Sequence, residues 1–218
     1  MNTTRQNYRV VGKTQETPVV ATLLLSREDG KPLSFVPGQY VTVYLPETGT
    51  LEGKSYSLSS APLDDSFSIT VKAMGEFSNQ LYNLDVGDII EASLPYGFFY
   101  SDSDSDMVLI AAGIGVAPFR SMIRHHQDKK IILHYSLKKK EDAIFKKEFD
   151  ALKRLSVTYY FTQEGSRRID PNKLVMSLPD LKSPEFFICG GIAFVRDMWK
   201  GLQKSGVPEE AIYTEAFF

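Results

Sequence analysis

Cysteine is almost absent from this chain of 218 residues, and several kinds of site are excluded with it. The single residue, Cys189, cannot form an internal disulfide, a four-cysteine iron–sulfur cluster or a cysteine-rich zinc site. No apolar run approaches the roughly 20 residues that a membrane-spanning helix needs. The polar start also lacks the apolar segment of a signal peptide. We therefore expect a cytoplasmic protein without a membrane span.

An excess of either charge is missing as well, since the formal net charge is −2. The chain therefore predicts no basic surface for nucleic acid. Its histidines form no evident ligand set, and no Gly-x-Ser-x-Gly elbow of a hydrolase appears. Segment 101–106 alternates serine and aspartate, but it lacks the glycine and final glutamate of a calcium loop. We interpret it as a linker and predict no metal site.

Apolar residues are plentiful, at 43% of the chain, and they follow two different periods. Residues 5–100 are dominated by short, alternating, strand-like runs separated by turn residues, which is typical of a barrel or sandwich. Strands are predicted at 19–26, 38–45, 66–72 and 88–94. One helix is predicted over 78–84, with Ser78 as its N-cap.

After the linker, strand and helix alternate, which predicts a parallel sheet with helices on both faces. Strands are predicted at 107–112, 131–135, 157–161 and 186–189. Helices are predicted at 118–126, 141–155 and 192–204, and another begins at Asp170-Pro171. We therefore predict two domains, 1–102 and 103–218.

Four short motifs occur in one order along these two halves. They are Lys54-Ser-Tyr-Ser57, Gly75-Glu-Phe-Ser78, Gly113-Ile-Gly-Val-Ala-Pro118 and Cys189-Gly-Gly191. Together, from about residue 8 to the end, the chain resembles the ferredoxin–NADP reductase superfamily. The resemblance implies an antiparallel Greek-key β-barrel that binds FAD, followed by a Rossmann-like α/β domain with a parallel sheet that binds NAD(P).

The first motif resembles the Arg-x-Tyr-Ser motif of that superfamily. The resemblance implies that Tyr56 packs on the isoalloxazine ring, that Ser57 reaches its N5 atom, and that Lys54 contacts the pyrophosphate. Lysine in place of arginine keeps the charge but loses the planar fork, so Lys72 is a candidate to share this contact. Taken alone, the motif is also typical of an ordinary exposed strand.

The second motif resembles the superfamily's Gly-x-x-Ser element, which holds the pyrophosphate at a helix start. The resemblance implies a binding role for Gly75, Phe77 and Ser78, with Val71 next to Lys72 on the preceding strand. Because this element secures a dinucleotide, it favours FAD over FMN. In isolation the motif fits a turn and a capped helix equally well.

The third motif lies between an apolar strand and a helix, the context that a phosphate-binding glycine turn requires. It implies nucleotide binding by Gly113, Gly115 and Pro118, with Ala112 in place of a family glycine. The fourth resembles the family's Cys-Gly-Pro segment and implies that Cys189 and Gly190 lie beside the nicotinamide. A buried cysteine acting as a small hydrophobic residue is the alternative.

The final residues and the loop cations extend the candidate site. The closing segment resembles the family's Glu-x-Phe element, so Glu215 is a candidate for proton and redox tuning and Phe218 for covering the flavin. A structural closing strand is the alternative. For the 2′-phosphate of NADPH the candidates are Ser136, Lys138, Arg167 and Arg168, and the choice between NADH and NADPH stays open.

The resemblance implies a flavoprotein oxidoreductase that passes a hydride from NADH or NADPH to bound FAD, with Ser57, Cys189 and Glu215 as catalytic residues. Single electrons would then pass to a separate carrier of the ferredoxin or flavodoxin type, or to a small-molecule acceptor. Two alternatives remain: a flavin reductase that uses free flavin as substrate, and a non-catalytic flavin-binding subunit. We expect a monomer.

Overall fold

The computed structural model describes residues 4–179, 181 and 183–217. The chain divides into two compact units. The first unit comprises Met1–Tyr100 together with Arg120–His125, and the second comprises Ser101–Phe119 with His126–Phe218. The discontinuous division was not evident in the sequence, and the boundary at 102/103 stays a prediction.

The first unit is a six-stranded antiparallel sheet that closes in the manner of a barrel. In sheet order the strands are β4-β3-β6-β1-β2-β5, and a bridge between Leu58 and Ile69 joins the two ends. This confirms the predicted fold of the first half. The elements are β1 Arg5–Thr17, β2 Val20–Arg27, β3 Tyr40–Leu45, β4 Thr50–Ser57, β5 Phe67–Lys72, α1 Glu76–Tyr82 and β6 Ile89–Ser93.

Alternation along the strands fills the interior of this sheet. On β3, Val41, Val43 and Leu45 are buried, whereas the residues between them are partly exposed. Because strand side chains alternate between faces, the apolar set lines one side only. Phe77 and Leu81 of α1 join the same core, which places α1 against it.

The second unit is a five-stranded sheet in the order β11-β10-β7-β8-β9, and every ladder in it is parallel. This confirms the predicted α/β fold. The elements are β7 Met107–Ala112, α2 Ala117–His125, β8 Ile131–Leu137, α3 Lys146–Ala151, β9 Leu155–Phe161, α4 Pro171–Met176, β10 Glu185–Gly191, α5 Ile192–Lys204 and β11 Ile212–Phe217.

Several local features of the second unit form as the sequence predicts. Asp170 caps α4, since its Oδ1 accepts from the amides of Asn172 and Lys173 at 3.1 and 3.2 Å. Helix α5 occupies the predicted residues, and Gly206 follows it with a φ of +89°. Strand β7 is buried except at Ala112, as expected of a strand covered on both faces.

The predicted helix over 141–155 is wrong. A 3₁₀ turn covers Lys140–Asp142, and α3 begins only at Lys146. Phe145 has a φ of +59°, which interrupts a right-handed helix. Ile144 and Phe145 are both buried, as the helical spacing also predicts. The left-handed conformation of Phe145 therefore interrupts the helix that the spacing indicates.

Among the described residues, no helix is long and apolar enough to cross a membrane.

Candidate functional site

Strand β4 and helix α1 of the first unit bring three of the predicted flavin-site residues together. The rings of Tyr56 and Phe77 are stacked, with centroids 6.4 Å apart and an interplanar angle of 17°. Lys54 Nζ lies 5.5 Å from the centroid of the Phe77 ring. Lys54 and Tyr56 are two residues apart on β4, so both project from the same face of the strand. An aromatic surface and a cation therefore stand side by side.

Lys54 and Tyr56 differ in burial, and this difference indicates different roles. Lys54 is exposed, whereas Tyr56 is half-buried and packs against the core. Desolvation raises the pKa of Tyr56 to about 12, so the phenol stays protonated at neutral pH. Tyr56 can therefore act as a neutral hydrogen-bond donor and as a stacking surface, while Lys54 supplies the positive charge.

Ser57 occupies the last position of β4, opposite Tyr40 of β3. It is 6% exposed and points to the opposite face from Tyr56. The side chain of Val71 is fully buried in the core, so any ligand contact by Val71 would come from its backbone. Lys72, at the end of β5, is exposed.

The Gly75–Ser78 turn differs in detail from the prediction, because α1 starts at Glu76 and Gly75 is its N-cap. Ser78 is the third residue of the helix, and the prediction of Ser78 as N-cap is wrong. Its Oγ accepts from the amides of Met74 and Gly75 at 2.9 and 3.0 Å and donates to the Gly75 carbonyl at 3.1 Å. These bonds engage the hydroxyl fully, so Ser78 shapes the turn.

The residues of the first unit fit a flavin dinucleotide. A Cβ built on Gly75 would meet no atom within 4 Å, which leaves open space above the turn. Among the residues that the structure describes, Lys54 and Lys72 form no ion pair, so both charges are available to a pyrophosphate. The half-buried ring of Tyr56, backed by the buried ring of Phe77, completes the three chemical features that the cofactor requires.

In the second unit, glycines allow two strand ends to approach each other closely. A Cβ on Gly115 would lie 2.3 Å from the carbonyl oxygen of Cys189, a distance that no side chain tolerates. Gly190 has a φ of +157°, and its Cβ would lie 2.9 Å from Cβ of Ala112. The turn after β7 therefore packs directly on the end of β10 only while these residues are glycine.

The same strand ends lie at the topological switch point of the sheet, where a ligand crevice is expected. From β7 the chain continues to β8 on one side, and from β10 it continues to β11 on the other. Ligands of open α/β sheets bind at such a switch point, beyond the carboxyl ends of the strands. Cβ atoms on Gly113, which has a φ of +55°, and on Gly191 would meet nothing within 4 Å. Their backbone is therefore accessible to a ligand, as a nucleotide phosphate requires.

Pro118 is the second residue of α2, where its missing N–H costs the helix no hydrogen bond. Ser136 lies near the carboxyl end of β8, in register with Ala112 of β7. Arg167 and Arg168 are exposed in the loop after β9. Within the described part of the chain they form no ion pair.

Cys189 is fully buried near the end of β10, directly opposite Glu215 of β11. Burial raises the pKa of the Cys189 thiol, and the nearby carboxylate of Glu215 raises it further. The thiol is therefore neutral at physiological pH and does not act as a thiolate nucleophile. The prediction for Phe218 lies outside the described residues.

One polar residue escaped the sequence-based analysis. His134 is buried in β8, and its Nδ1 lies 2.9 Å from the hydroxyl of Tyr160. Burial lowers the pKa of His134 to about 4, so the ring is neutral. Within the ranges 4–179 and 183–217 no cluster of metal-ligating side chains occurs. The sequence signal for His134 was a histidine directly after the apolar run Ile131–Leu133 of a predicted strand.

Comparison with known protein families assigns both units. Residues 8–100 match the family model described as an oxidoreductase FAD-binding domain. Residues 109–200 match the model described as an oxidoreductase NAD-binding domain. The two models together account for most of the chain, and each falls on the half in which the sequence motifs predict that cofactor.

Individual proteins extend this similarity. A flavohemoprotein of Bacillus cereus is 32% identical over 97% of this chain, and the chain spans 60% of that relative. A flavohemoglobin from Malassezia yamatoensis, solved with bound FAD and heme, is 25% identical with a TM-score of 0.83 and matches 100% of this chain and 61% of that one. A ferredoxin NADP⁺ reductase from Neisseria gonorrhoeae, solved with FAD and NADP, is 21% identical with a TM-score of 0.85 and matches 98% of this chain and 99% of that one.

Proposed function

The chain belongs to the ferredoxin–NADP reductase superfamily of FAD- and NAD(P)-binding oxidoreductases, and from that premise we propose that it is an electron-transfer reductase. When bound, the cofactors supply hydride transfer from NADH or NADPH to FAD, followed by release of single electrons. The observation that carries the proposal is the presence, in one chain, of a cation and stacked rings in the first unit and a glycine-lined crevice in the second.

The first unit would retain the flavin. Tyr56, backed by the buried ring of Phe77, offers the ring surface, while Lys54 and Lys72 would neutralise the pyrophosphate. Ser57, buried at the end of β4, is the candidate to donate a hydrogen bond to the flavin ring. Ser78 holds the Gly75 turn open. A site that provides for a dinucleotide argues for retained FAD and against free flavin as a substrate.

The second unit would hold the nicotinamide nucleotide in the crevice beyond β7 and β10. Gly113 offers its backbone to the phosphates, and Gly115 and Gly190 keep the two strand ends together. Cys189 is a neutral, buried group at the base of this crevice, so we propose that it positions the nicotinamide by packing. Glu215 lies opposite it on β11, and we propose that its carboxylate tunes the site.

For the electron acceptor we propose a chemical class and not an individual protein. The chain spans about 60% of the length of the flavohemoproteins it matches, so their complete activity does not transfer directly. We propose a one-electron acceptor outside this chain: a ferredoxin, a flavodoxin, a haem protein or a ferric chelate. A cytoplasmic monomer is part of the proposal.

Steady-state oxidation of NADH and NADPH by the FAD-loaded protein tests this function. We expect turnover with ferricyanide and with at least one of the protein acceptors, and FAD that stays bound during gel filtration. Turnover that occurs only with added free flavin would instead support a flavin reductase. Bound FAD with no turnover in either nucleotide would support a non-catalytic subunit.

A further inference from the structure

Hydroxyl side chains line the outer side of the strand pair β2–β5 in the first unit. Thr22 of β2 lies opposite Thr70 of β5, and Ser68 is two residues from Thr70, so the three share one face. Ile69 and Val71, which alternate with them on β5, belong to the core, so the hydroxyl face points away from it. One face of an antiparallel sheet commonly meets solvent, yet Ser68 and Thr70 are only 1% and 4% exposed. Buried hydroxyls of this kind need hydrogen-bond partners.

The segment directly after β4 supplies one of these partners. Leu58 bridges Ile69 of β5, and the amide of Ser59 donates to the carbonyl of the β5 residue before Ile69 at 2.8 Å. Because Leu58 points into the core, the next side chain, Ser59, points outward to the hydroxyls of β5. Its Oγ lies 2.9 Å from the hydroxyl oxygens of both Ser68 and Thr70, and Ser59 is fully buried. Side chains as well as backbone hydrogen bonds therefore hold this segment against β5.

The contacts continue from β5 across β2 to β1. The hydroxyl oxygens of Thr70 and Thr22 lie 3.1 Å apart, and Thr22 donates to Oε1 of Glu16 at 2.8 Å. Glu16, which belongs to β1, is the outer end of this series. We call the four joined hydroxyl residues the hydroxyl row: Thr22, Ser59, Ser68 and Thr70. Because hydrogen bonds in such a series polarise one another, the loss of one member also affects its neighbours.

Two of the residues that we propose for the flavin are each two positions from a member of the hydroxyl row. Ser57, the candidate donor to the flavin ring, precedes Ser59 on the same side of the extended chain. Lys72, a candidate cation for the pyrophosphate, follows Thr70 on the same face of β5. The contact between Ser59 and Thr70 therefore joins the two backbone segments that carry the proposed ring contact and the proposed phosphate contact.

We propose that the hydrogen bond between Ser59 and Thr70 positions the flavin site: it sets the separation of Ser57 and Lys72, so that both reach one dinucleotide. The inference rests on the proposed function, because FAD is the ligand that both side chains would meet. Ser59 and Thr70 are themselves buried, so they act through the backbone and are positioning residues.

Fluorescence titration of full-length variants with FAD tests the positioning role. Thr70→Val removes the hydroxyl and keeps the shape of the side chain, so it should weaken FAD binding about tenfold. Thr70→Ser keeps the hydroxyl and should bind FAD within about fivefold of the original protein. Thr14→Val is the matched control, because Thr14 lies opposite Thr22 on β1 but is exposed and stands outside the hydroxyl row.

A double-mutant cycle separates positioning from a general loosening of the first unit. Lys72→Gln removes a charge from the phosphate contact and should weaken FAD binding about tenfold in the original protein. In Thr70→Val the same change should cost about threefold or less, because the displaced Lys72 no longer meets the phosphate. Ser59→Ala removes the same hydrogen bond from the other side and should show the same loss of additivity, so the test does not depend on the folding of one variant.

Hydrogen exchange at the Ser59 amide, measured by nuclear magnetic resonance without FAD, gives a readout that does not involve the cofactor. Exchange should be about tenfold faster in Thr70→Val than in the original protein, and unchanged in Thr14→Val. Unaltered exchange, unaltered FAD affinity in Thr70→Val, or additive losses with Lys72→Gln would each overturn the positioning role. Failure of the original protein to bind FAD would instead overturn the proposed function, and the positioning role with it.

Discussion

The two units are built to meet their ligands in different ways. The first unit presents side chains from a strand face, namely the cation of Lys54 and the ring of Tyr56, which stacks on the buried Phe77. In the second unit the proposed ligand contacts come from the backbone. Gly115 and Gly190 have no Cβ, so the ends of β7 and β10 can approach each other closely. A side-chain surface tolerates conservative substitution, whereas a backbone contact tolerates none. The sharpest tests therefore lie in the second unit.

Gly115→Ala should have the largest effect. The new Cβ would overlap the Cys189 carbonyl, so the strand ends must separate, at a cost of about 1–3 kcal/mol in stability. We expect reduction of bound FAD by NAD(P)H to slow at least a hundredfold in stopped-flow measurements, while FAD binding persists. Gly191→Ala, whose Cβ meets open space, is the control for stability. Equal unfolding midpoints for the two variants would argue against the close approach.

Tyr56→Ala should weaken FAD binding about tenfold, because it removes one of the two stacked rings. Tyr56→Phe keeps the ring and should bind FAD within a few-fold of the original protein. Fluorescence titration with FAD measures both affinities. Full flavin occupancy in Tyr56→Ala under dilute conditions would show that Tyr56 does not contribute to FAD binding.

Cys189→Ser should slow flavin reduction by a smaller factor, about tenfold, while FAD stays bound. The hydroxyl keeps the approximate size of the thiol but adds a polar group in a fully buried position. Because the thiol pKa is raised, the reduction rate of the original protein should show no step from thiol ionisation between about pH 6 and 9. An unchanged rate in Cys189→Ser would make the residue purely structural.

The raised pKa of the Cys189 thiol also predicts how the stability of the protein changes at alkaline pH. The folded state holds Cys189 protonated, whereas the unfolded chain releases the proton near its ordinary pKa of about 8.5. Stability should therefore fall as pH rises above about 8.5, and Cys189→Ser should lack this component. Chemical denaturation of both proteins at neutral and alkaline pH compares them directly. An identical loss in both would assign the effect to other groups.

Ser78→Ala should have the smallest effect, a loss of about 1 kcal/mol in unfolding free energy. The hydroxyl serves the Met74 and Gly75 amides, so its removal loosens the turn and should weaken FAD binding only a few-fold. Ser55→Ala on β4 is the control. A loss of FAD binding as large as that of Tyr56→Ala would indicate a direct contact between the Ser78 hydroxyl and the cofactor.

The sequence predicts those parts of the fold that local rules determine. Alternation on β3, the apolar run of β7 and the cap at Asp170 each depend on neighbouring residues, and each forms as expected. The helix over 141–155 fails because Phe145 adopts a left-handed backbone conformation, which the spacing of apolar residues cannot show. The start of α1 was misplaced because a serine at the third position resembles a cap.

The candidate site shows the same distinction between features that neighbouring residues determine and features that tertiary packing determines. The motif residues of the first unit were predictable by type, but the stacking of Tyr56 on Phe77 requires β4 and α1 to pack together. The reason for Gly115 is a contact with Cys189, more than seventy positions along the chain, and only the strand order reveals it. The burial of His134, whose Nε2 has no hydrogen-bond partner among the described residues, likewise follows only from the packing of β8 within the sheet.

Anaerobic titration of the FAD-loaded protein with NADH and, separately, NADPH tests the central claim most directly. The account predicts loss of the flavin absorbance with one equivalent of at least one nucleotide, and a far slower loss in Gly115→Ala. The preferred nucleotide follows from the same titration. Bound FAD that neither nucleotide reduces would contradict the proposal that the two units form a working reductase.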